Sequence, residues 1–437
     1  MNLQLRKKTS SIKQRFLLTV SLLTIVRIGS FIPVPYIDHE TFATLLKSND
    51  SSTTEVAEIL KVFSGGGPSS FGLLSLGILP YINASIIIQL LTTINPSLKK
   101  LQKEEGEFGR RKITDYTRYL TFFCAIFESI GTTYSFRSLI FNWNFGIAFQ
   151  IVLTLTTGSM IVLWFSELIT KDGLGNGSSL LICFNIVSNL PDQILELALI
   201  LKGQNIFTVL LLASIFLSIT ICCVIINEAE LEINVLSASQ LLRQVNKKSL
   251  WGKSKLPLRV NQTGVMPLVF TSSVMIILSS ITKVIFAELQ QLKIFTFLNS
   301  IGDPLIENIG KIFFWLTYSF LVFFFTSFYS KIVLDPKDIA KNFRKNSVTI
   351  QGIPAGLETE KYLSRTLKHL TQINAIFLIS TLLLLNGLDY LLPIKVSQLK
   401  GFGFTSQLIL VNIIIDTIRK IFSYLSAEEN LLDGERS

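Results

Sequence analysis

Gly77-Ile78-Leu79-Pro80-Tyr81-Ile82-Asn83-Ala84-Ser85-Ile86-Ile87-Ile88-Gln89-Leu90-Leu91 decides the fold of this chain. The run is apolar enough for a membrane helix, yet Pro80, Asn83, Ser85 and Gln89 interrupt it, and the loop Ser64-Gly65-Gly66-Gly67-Pro68 stands ahead of it. Polar groups at membrane depth cost free energy unless they are buried in protein or face water. The segment therefore reads as the lining of a cavity rather than as a plain anchor.

The rest of the chain supports a membrane setting. Of 437 residues 49% are hydrophobic and 16% charged, against about 25% charged in soluble domains. Apolar runs near the roughly 20 residues that a bilayer requires predict ten spans: 16–33, 72–94, 120–140, 145–169, 179–200, 207–226, 265–286, 312–333, 373–392 and 404–425. An even number puts both termini on one side. With the N-terminus inside, 30 of the 40 Lys and Arg residues fall on the inner face and nine on the outer, while Arg27 lies in the first span. The positive-inside rule therefore predicts that both termini are cytoplasmic or its equivalent.

The net charge of +10 follows in part from that rule and from anionic headgroups. Two inner segments, about 227–264 and 331–371, are long enough to project beyond the headgroups, and basic projections suit an acidic or RNA-bearing partner. Cys124, Cys183, Cys222 and Cys223 lie within spans and read as small apolar residues. His39 and His369 are far apart, and no metal spacing, Ser/His/Asp set or nucleotide-binding Gly-rich loop occurs. The expectation is a chain without catalysis, cofactor or metal. Met1–Arg15 is basic but carries no cleavage site or presequence pattern, and the richness in Ile, Phe, Lys and Asn hints at an AT-rich gene. The spans divide five and five near residue 202. Two odd-numbered halves in one chain have opposite orientations, the arrangement of inverted repeats.

Five segments carry a resemblance. They are Gly77–Leu91, Lys103–Leu120 (KEEGEFGRRKITDYTRYL), Gly173–Ser179 (GLGNGSS), Leu256–Pro267 (LPLRVNQTGVMP) and Asp335–Ala340 (DPKDIA). In this order and spacing, over nearly the whole chain, they resemble the SecY family of the bacterial and plastid protein translocase. The resemblance implies an all-α, polytopic clamshell channel of ten transmembrane helices in two inverted five-helix halves, 1–202 and 203–437. Such a channel passes unfolded polypeptide across the membrane and releases hydrophobic segments sideways into lipid.

Carried over by position, the resemblance places a pore ring on Ile82, Ile86, Ile182, Ile186, Val269 and Ile409. Packing or lipid contact is the plain alternative for each. Ile82 and Ile86 share one helical face, and an apolar ring of this kind can seal by dewetting. The stretch 55–71, with Gly65, Gly66, Gly67 and Phe71, corresponds to a plug, or else is an ordinary outer loop. Gln89, Thr121, Thr271, Ser272 and Ser273 correspond to a lateral gate, although Ser and Thr also serve routine helix packing.

Candidates for motor or ribosome docking are Arg243, Lys247, Lys248, Lys253, Lys255, Arg259, Lys337, Lys341, Arg344, Lys345, Arg365 and Lys368. Here the chain departs from the family: Pro354 in Gly352-Ile353-Pro354-Ala355-Gly356 replaces the usual arginine, and Leu231, Glu232, Ser237, Ala238 and Ser239 stand where basic residues are common. The implied partners are a SecE subunit, a SecG-like subunit, the SecA ATPase, a translating ribosome with the signal recognition particle pathway, signal-bearing polypeptides and membrane lipids. The expected location is the thylakoid membrane of a plastid with both termini stromal, the alternative being a bacterial inner membrane. A secondary solute transporter with inverted repeats is the rival reading, although such a protein usually places ionisable groups at the midplane.

Overall fold

The computed structural model describes residues 12–38, 72–103, 106–201, 206–237, 254–264, 266–275, 278, 303–391 and 404–436. Each of the ten expected spans falls on a helix, at least in part. In chain order the helices are α1 (Ile12–Ser30), α2 (Leu79–Ile94), α3 (Pro96–Lys103), α4 (Gly106–Ser135), α5 (Phe145–Asp172), α6 (Gly177–Leu201), α7 (Ile206–Glu228), α8 (Met266–Met275), α9 (Asp303–Val333), α10 (Pro336–Lys345), α11 (Leu357–Leu391) and α12 (Phe404–Arg436). Several of them overrun the apolar spans. Thus α4 begins 14 residues before the predicted third span and α11 begins 16 before the ninth, so the charged segments that precede those spans continue the helix.

The chain forms two compact units, Met1–Gln204 with Ser397–Ser437, and Asn205–Val396. The first boundary lies near the predicted break at 202, while α12 joins the first unit by packing on α6. Within that unit α4 is central, packed against α2, α3 and α5, and α5 in turn meets α1 and α6. Val34, Ile37, Leu76, Phe136, Leu139, Ile140, Ile151 and Leu155 form a buried cluster. Bridges Pro33 to Gly72 and Ile37 to Ile140 fasten the chain around it.

The α5–α6 connection explains one of the segments that carried the resemblance. An added Cβ at Gly177 would meet the Ser166 carbonyl oxygen at 1.9 Å, so the first turn of α6 touches the backbone of α5. Thr170 Oγ1 accepts from the Gly177 amide at 2.8 Å, and Thr19 Oγ1 accepts from the Leu174 amide at 3.0 Å. This tight corner pins α1, α5 and α6 together.

The second unit holds something that the sequence reading treated as loop. β1 (Glu230–Ser237), β2 (Ser254–Arg259) and β3 (Val348–Ile350) form an antiparallel sheet in the order β2-β1-β3. Glu230 faces Arg259 and Val235 faces Ile350 across the ladders. One face of the sheet buries Ile233, Leu258 and Ile350 with Leu363, Leu367 and Leu370 of α11, and Ile339 and Phe343 of α10 pack at its edge. Asn261 joins this layer to the helices: its Nδ2 donates to Asn227 Oδ1 at 2.5 Å, and its Oδ1 accepts from Asn374 Nδ2 at 3.1 Å. The two inner segments are thus a packed layer over part of their length. Residues 238–253 lie outside the described residues.

Candidate functional site

Helix α2 starts at Leu79 with Pro80 in its first turn, where a missing N–H is harmless, and its N-cap, Ile78, contributes no side-chain cap. Ile82, Ala84 and Ile86 are buried. Asn83 Nδ2 donates to Glu128 Oε1 of α4 at 2.7 Å, and Gln89 Nε2 donates to Ser85 Oγ at 3.1 Å. The interruptions in the opening sequence are therefore side chains with work inside the protein.

Helices α2, α4 and α5 line an open groove of about 880 Å³, with Tyr81, Ser85, Gln89, Arg118, Trp164 and Glu167 in its walls. Arg118 donates to both carboxylate oxygens of Glu167, at 2.7 and 2.6 Å, and to Asp115 at 3.0 Å. The Glu167 hydrogen bond holds the Arg118 guanidinium above its ordinary pKa. Bidentate geometry makes this pair a fixed strut rather than a loose surface contact.

Every residue of the expected pore ring is buried: Ile82, Ile86, Ile182, Ile186 and Ile409 in the first unit and Val269 in the second, each at 7% exposure or less. Ile182 and Ile186 share a face of α6 with buried Asn185 and Asn189, and α6 packs on α12, which buries Leu408, Ile409, Asn412 and Ile413. The fifth span thus buries asparagines beside its isoleucines. The sequence reading assigned those asparagines no place.

Of the gate candidates, Thr121 and Thr271 are buried and turn their hydroxyls back to their own helices, Thr121 to the Thr117 carbonyl at 2.7 Å and Thr271 to the Pro267 carbonyl at 2.8 Å. Ser272 donates to the Val269 carbonyl at 2.8 Å, and Ser273 is buried. Gln89 lines the groove just described. Gly65, Gly66, Gly67 and Phe71 of the expected plug lie outside the described residues, as do Arg243, Lys247, Lys248 and Lys253 of the docking set.

The remaining docking candidates are exposed on the sheet layer. Lys337, Lys341, Arg344 and Lys345 line α10, which is capped by Asp335 accepting from the Lys337 amide at 3.2 Å, and Arg365 and Lys368 lie on α11. Lys255 pairs with Glu232, and Arg259 with Glu230 at 2.9 Å. Glu232, one of the departures noted in the sequence, is thus matched across the ladder rather than left as a repulsive gap in a basic surface. At the other departure, the Pro354 carbonyl accepts from Thr359 Oγ1 at 2.8 Å, and Gly352 turns the chain at φ +81°. The alternation Leu231, Ile233, Val235 was the one signal of the sheet in the sequence.

Several apolar helices, one of them interrupted by buried polar residues, together with a layer of sheet and basic helix, define a polytopic helical membrane protein. The family model described as SecY matches residues 72–418. A relative named protein translocase subunit SecY from Vaucheria litorea is 57% identical over 434 residues, covering 98% of this chain and all of the relative. A solved structure described as a protein conducting channel is similar with a TM-score of 0.61 at 16% identity, covering 95% of this chain and 93% of that one. Sec61 in a canine ribosome-channel complex from the endoplasmic reticulum is similar with a TM-score of 0.55 at 17% identity, with the same two coverages. The chain belongs to the SecY family. Its fold is that of the SecY and Sec61 channels, and neither the family nor these structures support the solute-transporter reading.

Proposed function

We propose that this chain is the pore-forming subunit of a protein translocase, passing unfolded polypeptide across a membrane and releasing hydrophobic segments into it. The observation that carries the reading is the second span: a short helix begun at a proline, burying Ile82 and Ile86 one turn apart while its polar residues are held by neighbours. Such a face is apolar toward a passing chain and needs no binding energy for any one sequence. With Ile182, Ile186, Val269 and Ile409 it forms the ring that closes when empty, because a narrow apolar constriction expels water. Residues 55–71 act as the plug, and Gln89, Thr121, Thr271, Ser272 and Ser273 border the lateral opening. The inverted repeat of two five-helix halves belongs to this same reading.

The channel is passive and takes its driving force from partners. The exposed bases of α10 and α11 and the strand β2 form the inner docking surface for SecA or a translating ribosome, and the SecE subunit braces the helices, with a SecG-like subunit beside them. The likeness to a channel bound to a ribosome supports the ribosome most directly. The relative from a plastid genome supports the thylakoid membrane, and the charge bias supports both termini on the stromal side.

The test stalls a signal-bearing substrate with a photocrosslinker in the reconstituted complex. Attachment at both Ile86 and Val269 that depends on the motor and ATP is the expected result. A stalled substrate that attaches at neither position overturns the ring.

A further inference from the structure

The hydrogen bond between Asn83 and Glu128 lies beside the pore face, and the pore reading assigns it no task of its own. Asn83 follows Ile82 and precedes Ile86 by three, so at about 100° per residue it occupies the flank next to that face. Its Nδ2 donates to Glu128 Oε1 at 2.7 Å, across 45 positions of sequence. A carboxyl group at this depth is costly unless it is hydrogen-bonded, and here its partner is a neutral amide.

The two ends of this bond differ in firmness. Helix α4 is held to α5 at two levels: Ser129 Oγ and Thr156 Oγ1 share a hydrogen bond of 3.1 Å in the interior, and Arg118 grips Glu167 at the inner end. Helix α2 is the weaker partner. It has 16 residues and no side-chain cap at its start. The clasp grips α2 in the turn that carries Ile82, from a post that cannot easily move.

We infer that Asn83 and Glu128 are a positioning pair that keeps the first turns of α2 in register, so that Ile82 and Ile86 seal the channel while it is empty. The inference rests on the pore reading above. Its chemistry requires a donor at 83 and an acceptor at 128, not a charge, so Glu128→Gln preserves it and Glu128→Ala abolishes it.

The full chain, purified with the subunits that accompany it, is placed in planar bilayers and its resting conductance is measured without substrate. Ile86→Gly serves as the reference that opens the ring. Expected are a several-fold leak from Ile86→Gly, a several-fold leak from Asn83→Ala and from Glu128→Ala, no further leak in the double variant, and wild-type tightness in Glu128→Gln. Should an alanine variant fail to accumulate, Asn83→Ser, too short to reach Glu128, gives the same reading. The clasp is overturned if Ile86→Gly leaks while the Asn83 and Glu128 variants stay tight, if their leaks add, or if Glu128→Gln leaks as much as Glu128→Ala. A tight Ile86→Gly channel instead overturns the pore reading and takes the clasp with it.

Discussion

Helices α5 and α7 both look like plain membrane spans, yet they solve opposite problems. The apolar stretch of α7 has a mean hydropathy of 3.0 and is 12% buried, whereas that of α5 has 1.8 and is 39% buried. Lipid selects for α7, and Leu210, Leu217, Ile221 and Ile225 stand exposed along it. Neighbouring helices select for α5, whose buried positions include Thr156, Gly158, Ser159 and Ser166. At Gly158 an added Cβ would meet the Leu73 carbonyl oxygen at 2.1 Å. The lesson is that in a membrane the less apolar helix is the more deeply packed one, since small residues and hydroxyls replace the hydrophobic effect as the means of association.

The comparison breaks first at the corner after α5. Gly177→Ala should cost about 3 kcal/mol or more, because the clash is with backbone rather than with a yielding side chain. Gly146→Ala on the exposed start of α5, where nothing lies within 4 Å, should be neutral or gain up to about 1 kcal/mol. Thermal unfolding in detergent, read beside the yield of folded protein, checks both. Equal effects would mean that the corner can relax.

A charge on the lipid side of α7 is the next largest effect. Leu217, exposed at 62%, replaced by Asp should cost about 3 to 4 kcal/mol of insertion free energy, measured by a glycosylation-based insertion assay on the span. Tolerance there would show that α7 is covered by a partner and not by lipid.

Smaller again is the hydroxyl pair inside the first unit. Ser129→Ala and Thr156→Ala should each cost about 0.6 kcal/mol, with a ceiling near 1.7, and the double variant should cost less than their sum. Ser218→Ala on α7, whose hydroxyl turns to its own Ile215 carbonyl, should cost nothing measurable. A double-mutant cycle by unfolding in mixed micelles decides it.

Least of all in stability are the cross-strand pairs of the sheet. Lys255→Ala and Arg259→Ala remove exposed ion pairs worth about 0.2 to 1 kcal/mol. If the sheet is the docking surface, they weaken binding of the motor or ribosome far more than they weaken the fold, as a co-sedimentation assay at two salt concentrations would register. A stability loss without a docking loss would make β2 a structural strand alone.

Much of this was legible in the sequence because the bilayer imposes a single strong demand. Backbone groups in lipid must pair within their own helix, so apolar runs such as 207–226 mark helices without further information. The interruptions at Asn83 and Gln89 marked the lined segment for the same reason. What the sequence left unread were partners across long separations. Nothing local to Asn83 names Glu128, and nothing local to Gly177 names the Ser166 carbonyl. The strand Glu230–Ser237 was hidden because its alternation is short and sits beside charged residues, so that Glu232 read as a departure until Lys255 stood opposite it.

The sequence by itself therefore determined the membrane setting and the order of the helices, since each follows from the cost of placing one kind of residue in one solvent. The tertiary structure alone decided that α12 joins the first unit, that the inner segments close into a sheet, and that the second span is clasped to the third. Those are pairings between distant residues, and their free energy exists only once both partners have been brought together.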